Sequence, residues 1–288
     1  MATLKEIRKR VSSVQNIQQI TNAMNMVSAA RLRRAQESAQ AARPYAEKLE
    51  GILRNLATQG EVPGHPFLTE REEKHITFIV ITSDRGLCGG FNSSLIREAE
   101  FFMKSHADKK IRLIIIGRRA FDHFKRLDVE VAEQYIDLNG RLSADLAHDI
   151  GRRVSNDYLA GNTDSFYVLY ANFRSALVQN PKIDKILPVA STRDPESSSE
   201  ESSLDYLYEP NQELLLSRLL ERYIDMIIFR AMLESVASEH GARMTAMDNA
   251  TTNAIDMIDS LTLDMNRARQ ASITRELLEI VATGESLK

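Results

Sequence analysis

Residues 233–268 read LESVASEHGARMTAMDNATTNAIDMIDSLTLDMNRA. In this stretch small or apolar side chains recur alternately after four and three residues, which is the spacing of a coiled-coil seam. The spacing begins earlier, at Leu219, and it predicts one helix from about residue 211 to residue 283, roughly 110 Å long. Gly284 is the predicted end of this helix. The predicted seam positions are Leu219, Tyr223, Met226, Arg230, Leu233, Ala237, His240, Met244, Met247, Thr251, Ala254, Ile258, Leu261, Met265 and Ala268.

A second long helix is predicted over residues 1–57. Thr3 and Glu6 have the spacing of a capping box, in which each side chain bonds the backbone amide of the other residue. A strict seam spacing runs from Leu32 to Leu56. Pro44 lies inside that run, but the spacing resumes at Ala46, so we predict a bend and not an end.

The apolar stripe of this helix slips by one residue near its middle. Such a slip predicts that no uniform supercoil runs along its whole length. Residues 11–30 carry no charge. They favour two interpretations equally: a neutral surface that slides past a partner without ion pairs to break, or a plain buried coiled-coil face. The stripe consists of Leu4, Ile7, Val11 and Val14, then Ile17, Ile20, Met24 and Val27, then Leu32, Ala35, Ala39, Ala42, Ala46, Leu49, Leu53 and Leu56.

Helices of this length need a partner for their apolar stripes. The central segment joins the end of one helix to the start of the other, which predicts that the two terminal helices pair antiparallel. The C-terminal helix is longer by roughly 15 to 20 residues. Its last turns, near Arg267 to Ile280, are therefore expected to extend past the N-terminus and to be sheltered inside another protein.

Residues 58–210 are predicted to form a central α/β domain. Strands alternate with helices, which favours a Rossmann-like fold with a mostly parallel sheet. The segment 191–203 has the composition of a disordered loop. The predicted strands are 75–83, 111–117, 129–135, 166–171 and 182–189, and the predicted helices are 91–106, 118–127 and 142–160.

The loop Ser83–Gly90 follows a predicted strand and opens a predicted helix, as a phosphate-binding loop would. It nevertheless fits neither G-x-G-x-x-G nor the P-loop pattern. We favour a structural turn in which Gly86, Gly89 and Gly90 supply backbone freedom. Cys88 as a nucleophile beside Arg85 is the weaker alternative to a small buried side chain, because no histidine lies nearby in sequence.

Other chemistry is not indicated. The six histidines lack metal-ligand spacing, so no metal and no cofactor is predicted. The basic cluster Arg31, Arg33 and Arg34 lacks aromatic neighbours, and the net charge is -3, so nucleic acid is not the expected partner. No apolar stretch is long enough to span a membrane.

Three segments together resemble the γ subunit of bacterial-type F-type ATP synthases, and the resemblance covers essentially the full length. They are Ile17–Val27 with Arg31–Ala35, then Thr82–Gly90, and finally Ser238–Ala250 (SEHGARMTAMDNA) with Asn266–Thr274 (NRARQASIT). The resemblance implies a rotor shaft that couples proton flow through the c-ring to ATP synthesis or hydrolysis in other subunits. The shaft itself would be non-catalytic.

The resemblance also implies partners and site residues. The expected partners are a hexamer of α and β subunits, the ε subunit and the c-ring, which would hold the chain peripherally at the cytoplasmic face of the bacterial inner membrane. Arg269, Gln270 and Thr274 would contact a loop of β. Met24 and Arg243 would lie close together in the coiled coil and affect coupling. Gly241, where this family commonly has alanine, would soften the shaft locally.

Two other function classes are compatible with the pattern. A nucleotide-binding α/β enzyme with helical arms would bind ATP or NAD as the isolated chain. A passive coiled-coil scaffold or chaperone would form a homo-oligomer and would not join a catalytic hexamer. The long terminal pairing with its unpaired end favours the rotor.

Overall fold

The computed structural model describes residues 3–58, 65–138, 142–176, 178–189 and 212–286. The chain divides into two compact units, Met1–Ala29 with Arg243–Lys288, and Ala30–Ala242. We call the first the seam unit and the second the sheet unit. The elements are α1 (Leu4–Thr58), a 3-10 helix (Pro66–Leu68), β1 (His75–Ile81), α2 (Phe91–Ser105), β2 (Lys110–Ile116), α3 (Arg118–Phe124), β3 (Glu130–Tyr135), α4 (Ala144–Leu159), β4 (Ser165–Phe173), β5 (Gln179–Leu187) and α5 (Gln212–Ser286).

The sheet unit contains a five-stranded sheet in the order β3-β2-β1-β4-β5. β1 pairs in parallel with β2 and β4, β2 pairs in parallel with β3, and β5 is antiparallel to β4. The central strands are nearly continuous apolar runs, as expected where helices cover both faces of a sheet. All five strands and three helices predicted for this region are confirmed, and so is the mostly parallel sheet. The predicted loop 191–203 lies outside the described residues.

The sheet is covered on both faces. On one face α2 and α3 pack against β1 and β2 through a core that includes Phe78, Leu95 and Phe124. On the other face α4 and the first part of α5 bury a second core, with Tyr158, Leu220 and Ile228 almost inaccessible to solvent. The Ser238 hydroxyl of α5 donates to the Ala171 carbonyl of β4 at 2.9 Å.

Helix α4 meets α5 at a close approach. A Cβ atom placed on Gly151 would lie 2.1 Å from Oδ1 of Asp225, so the carboxylate occupies the space that a side chain would need. Oδ2 of Asp225 lies 2.8 Å from Nδ1 of His148. Burial raises the pKa of Asp225, and His148 acts in the opposite direction. Gly151 therefore leaves room for the contact between Asp225 and His148 where the two helices pack.

In the seam unit the two terminal helices pack antiparallel. Oγ1 of Thr21 lies 2.7 Å from Oγ1 of Thr251, and Asn25 Nδ2 donates to the Met244 carbonyl at 3.3 Å, so residue numbers rise along α1 as they fall along α5. Every predicted α5 seam position from Met244 to Ala268 is buried or half-buried, which confirms the seam in this unit. These positions are Met244, Met247, Thr251, Ala254, Ile258, Leu261, Met265 and Ala268.

The predicted slip in the apolar stripe of α1 is wrong. Ile17, Ile20 and Val27 point to solvent, with exposed fractions of 49%, 59% and 53%. Polar residues take their place and keep the spacing of three and four unbroken. The Thr21 and Ser28 hydroxyls donate to carbonyls of their own helix, so they can be buried there without losing a hydrogen bond. The buried or half-buried positions of this part of α1 are Leu4, Ile7, Val11, Val14, Gln18, Thr21, Met24, Asn25, Ser28 and Ala29, so Met24 is the one member of the slipped stripe that is partly buried.

Three predictions about the helix ends can be compared with the structure. The capping box is confirmed, because Thr3 N donates to Glu6 Oε2 at 2.9 Å and Glu6 N donates to Thr3 Oγ1 at 3.4 Å. Helix α1 continues through Pro44, as predicted. Helix α5 continues past Gly284 to Ser286, so the predicted end was two residues early. Within the described ranges, none of the helices is long and apolar enough to cross a membrane.

Candidate functional site

The last described turns of α5 carry the residues predicted to contact β. Burial ends at Ala268, and the side chains of residues 269–278, 280 and 281 are all exposed. Arg269, Gln270 and Thr274 lie in this segment, and the Thr274 hydroxyl donates to the Gln270 carbonyl of its own helix at 2.9 Å. Large apolar side chains share this exposure and are also candidates for protein contact. They are Ile273, Leu277, Leu278, Ile280 and Val281.

The predicted coupling residues lie where α1 and α5 meet. Met24 is half-buried, and Arg243 retains 8% exposure, which is unusual for an arginine. Their chain neighbours are joined directly, because Asn25 bonds the Met244 carbonyl and also Asp248 Oδ1, at 3.4 Å. The arrangement is an inter-helix contact without catalytic geometry. The role of Met24 and Arg243 in coupling stays a prediction.

The glycine turn joins β1 to α2. Left-handed backbone occurs at Leu87 (φ 63°) and Gly89 (φ 56°), whereas Gly90 is the N-cap of α2 at φ -82°. At Gly86 a Cβ atom would lie 2.8 Å from Nη2 of Arg119, so a side chain there would displace the flexible end of that arginine. Glycine therefore provides backbone freedom at Gly89 and space at Gly86. Leu87 adopts a conformation that costs an L-residue about 1 kcal/mol or more.

Side chains from the chain itself fill the inside of this turn. The Ser83 hydroxyl donates to the Arg85 carbonyl at 2.6 Å, and Asn92 Oδ1 accepts from the Ser83 amide at 3.0 Å. Asn92 Nδ2 lies 3.1 Å from the buried Sγ of Cys88. These contacts support a structural turn more than a phosphate-binding loop. Sequence reasoning missed Asn92, whose signal was an amide side chain in the first helical turn after the glycines.

The carboxyl edge of the sheet is closed by Asp84. Its Oδ1 accepts from the backbone amides of Arg118 at 3.1 Å and Asp137 at 3.0 Å, which ties three loops together. The Arg118 guanidinium also pairs with the Asp137 carboxylate, which raises the pKa of Arg118. A cavity of about 20 Å³ lies beside this edge, lined by residues that include Thr82, Ser235 and Glu239. That volume suits about one water molecule and not a nucleotide.

No group of three or more histidine, cysteine, aspartate or glutamate side chains in the described part of the chain is arranged to hold a metal ion. The candidate residues are instead exposed side chains at one helix end, an inter-helix contact and an internally bonded turn. The fold and these features define a class of protein: a non-enzymatic type of chain with two paired terminal helices, an α/β domain between them in sequence, and exposed side chains suited to contact other proteins.

Comparisons with known proteins agree with that class. The family model for ATP synthase matches residues 3–287. The chain is 45% identical to the ATP synthase gamma chain of Pelotomaculum thermopropionicum over 288 residues, and 45% identical to that of Geotalea uraniireducens over 291 residues. The match to the Moorella thermoacetica gamma chain is 43% over 288 residues. Each of these matches covers 100% of both chains.

Solved structures show the same fold at lower identity. A chain of the Euglena gracilis mitochondrial ATP synthase, in a structure of OSCP, F1 and c-ring, aligns with a TM-score of 0.68 at 18% identity and covers 99% of this chain and 94% of its own. A chain of the Tetrahymena thermophila mitochondrial ATP synthase, in a structure of the central stalk and c-ring, gives 0.63 at 24% identity and covers 80% and 99%.

The chain belongs to the ATP synthase gamma chain family, the central-stalk rotor subunits of F-type ATP synthases. As a member of that family it is a non-catalytic subunit of a complex that makes ATP with proton flow. The resemblance stated from sequence is therefore confirmed, as are the long paired terminal helices and the central sheet.

Proposed function

We propose that this chain is the shaft that turns inside a hexamer of α and β subunits, driven by a c-ring, with the ε subunit bound to its α/β domain. In functional terms its parts are an N-terminal coiled-coil helix (residues 1–57), a central α/β domain (58–210) and a C-terminal coiled-coil helix (211–288). The chain is held at the cytoplasmic face of the bacterial inner membrane through these partners, with no nucleic acid and no cofactor.

The observation that carries this proposal is the exposed end of α5. Five large apolar side chains between Ile273 and Val281 are exposed there, next to Arg269 and Gln270. A single helix with such a surface is marginal in water and needs a surrounding protein. The β subunits of the proposed hexamer provide that shelter, and Arg269, Gln270 and Thr274 are the residues that we assign to a loop of β.

The mechanism follows from contacts that differ around the hexamer. One shaft cannot present the same side chains to three identical β subunits at once. Each orientation therefore stabilises a different conformation at each site, which is a population shift by differential binding. Rotation by the c-ring moves these preferences from site to site. Met24 and Arg243, where the helices meet, are proposed to keep the shaft surface in register during rotation.

Reconstitution tests the proposal. The full chain is co-expressed with α and β of the same enzyme, the complex is purified, and its ATPase rate is measured. We expect a stable complex whose ATPase rate depends on the chain. Stoichiometric ATP or NAD binding by the isolated chain would favour the enzyme alternative. A homo-oligomer that does not bind folded α and β would favour the scaffold alternative.

A triple variant tests the assigned β contact. Arg269→Ala with Gln270→Ala and Thr274→Ala should lower the ATPase rate of the complex about tenfold or more, since each 1.4 kcal/mol of lost contact energy is a factor of ten. Arg275→Ala is the matched control, because Arg275 is an exposed arginine on another side of the same turns. Equal losses in both variants would contradict the assignment.

A further inference from the structure

In residues 17–28 of α1, within the seam unit, apolar side chains are exposed and polar side chains are buried. Ile17, Ile20 and Val27 are about half exposed, while Thr21 is buried with 8% exposure. In this subsection the term apolar stripe means these three exposed residues only. Turning α1 by about 100°, one residue of helix, would bury the stripe instead. Between residues 17 and 28 burial of apolar area alone favours that rotated arrangement, because Ile17, Ile20 and Val27 would replace polar residues in the seam. Nearer the N-terminus the apolar side chains of Leu4, Ile7, Val11 and Val14 favour the observed face. Within residues 17–28 some other interaction must therefore favour the observed face.

That interaction is visible in three polar residues, Thr21, Asn25 and Thr251, which we call the polar layer. The two hydroxyl groups lie 2.7 Å apart, so one of them donates across the helix interface. Each also lies within bonding distance of a carbonyl of its own helix, Thr21 to Gln18 at 3.0 Å and Thr251 to Met247 at 2.8 Å. The hydroxyl protons therefore have acceptors on both helices.

Asn25 extends the layer by one turn. Its Nδ2 reaches the Met244 carbonyl at 3.3 Å and Asp248 Oδ1 at 3.4 Å, so both amide hydrogens have acceptors on α5. Bonds to these acceptors require the observed face of α1, because rotation would point the amide away from α5. A buried polar residue in a coiled coil is known to fix register in this way, at a cost in stability.

We propose that Thr21, Asn25 and Thr251 are positioning residues that select which face of α1 packs against α5, and that they thereby hold the apolar stripe outward. Without them, the apolar stripe could pack against α5 in place of the residues that do so in the structure. The proposal concerns the fold of the helix pair, so it stands or falls independently of the proposed function.

The rate of disulfide formation between cysteines introduced on α1 and α5 shows which face of α1 packs against α5. The heptad that continues from Thr21 and Thr251 places Gln18 near Ala254. The pair Gln18→Cys with Ala254→Cys therefore reports the observed face, and Ile17→Cys with Ala254→Cys reports the rotated face. Cross-linking rates of both pairs are measured in the full chain. The native Cys88 is buried in the sheet unit, and the chain without added cysteines gives the background.

In the native background the 18–254 pair should cross-link about tenfold faster than the 17–254 pair. Thr21→Ala, Asn25→Ala and Thr251→Ala together should reduce that ratio about tenfold or reverse it. The matched control is Gln19→Ala with Asn22→Ala, which removes exposed amides from the same helix and should leave the ratio unchanged.

A rescue variant separates loss of face selection from loss of folding. Adding Ile17→Gln and Ile20→Gln to the triple alanine variant removes the competing stripe, so rapid 18–254 cross-linking should return. A ratio that is the same with and without the polar layer would overturn the proposal. So would an equal change in the matched control, or a rescue variant that stays slow.

Discussion

Helix α5 is packed very differently in the two units. In the sheet unit Leu216, Leu220, Ile224, Ile228 and Met232 are all almost fully buried against strands and helices. In the seam unit, among the residues whose exposure the structure gives, the buried side chains of α5 are Arg243, Met247 and Ala254. One stretch of the helix is part of a core, and the other leaves most of its side chains exposed. Local stability should therefore differ strongly along one continuous helix.

Truncating one leucine in each unit gives the largest expected contrast. Leu220→Ala removes a fully buried side chain and should lower the free energy of unfolding of the sheet unit by about 2–5 kcal/mol. Leu263→Ala, at a position with 60% exposure, should change stability by less than about 0.5 kcal/mol. Urea unfolding followed by circular dichroism measures both. Similar shifts of the two midpoints would remove the contrast.

Two helical glycines test how tightly the sheet unit is packed. Gly151→Ala should destabilise it by about 1–3 kcal/mol, because the new Cβ displaces Asp225 from its place beside His148. Gly51→Ala in α1 meets nothing within 4 Å and should stabilise by up to about 1 kcal/mol. Thermal unfolding of the two variants provides the measurement. A stabilising Gly151→Ala would show that the α4–α5 contact is looser than the structure indicates.

Acid should weaken the sheet unit selectively. Burial alone would raise the pKa of Glu73, but hydrogen bonds from Lys185, Lys109 and Tyr167 outweigh it and lower the pKa from 4.5 to about 2. Because the folded pKa is depressed, this stabilisation is present above pH 4.5 and is lost as the pH falls through about 2. The loss should be about 1–2 kcal/mol after solvent screening.

Glu73→Gln removes that pH dependence and serves as the test. Its urea midpoint should fall less than that of the native chain between pH 6 and pH 3. Asp264→Asn in the seam unit is the control, because Asp264 forms an exposed pair with Arg267 at 3.6 Å and should leave the profile unchanged. Parallel pH profiles for native and Glu73→Gln chains would count against the role of this cluster.

The smallest effect is expected at Gly241, near the boundary of the two units. Alanine there gains about 1 kcal/mol of helix propensity. Its Cβ, however, would lie 3.2 Å from Cε2 of Phe173 and 3.3 Å from Cα of Ala176, which is tight. The two effects should nearly cancel, and the melting temperature of Gly241→Ala should change by no more than a few degrees. A clear stabilisation would instead support the local softening that the sequence suggested.

The sheet was predictable because its signals are local. Short, largely apolar runs rich in β-branched residues, such as Ile76–Ile81 and Ile111–Ile116, predict buried strands between helices. The capping box at Thr3 is equally local, since it depends on two residues three positions apart. The seam of α5 was predictable from Met244 to Ala268, where its spacing continues without interruption and every position is at least half-buried. The predicted seam position Arg230, in the sheet unit, is exposed and was wrong.

The face of α1 was not predictable from apolar spacing. Counting hydrophobic residues assigns Ile17 and Ile20 to the seam, but the structure places Thr21 there. Its hydroxyl lies beside the hydroxyl of Thr251, which is 230 residues away in the sequence. The need for glycine at position 151 was not predictable for the same reason, since the carboxylate that occupies the space beside it comes from Asp225 on another helix. Both features depend on contacts between residues far apart in the sequence, and a single sequence does not show which distant residues are in contact.

The pairing of Thr21 with Thr251 also sets an order of events during synthesis. A ribosome adds about 5–20 residues per second, so about 10 to 50 s separate the emergence of these two side chains. During that interval the first helix of the chain has no seam partner, and Ile17, Ile20 and Val27 are accessible to any chaperone with an apolar groove. Premature termination before residue 243 would leave the nascent helix permanently without its partner.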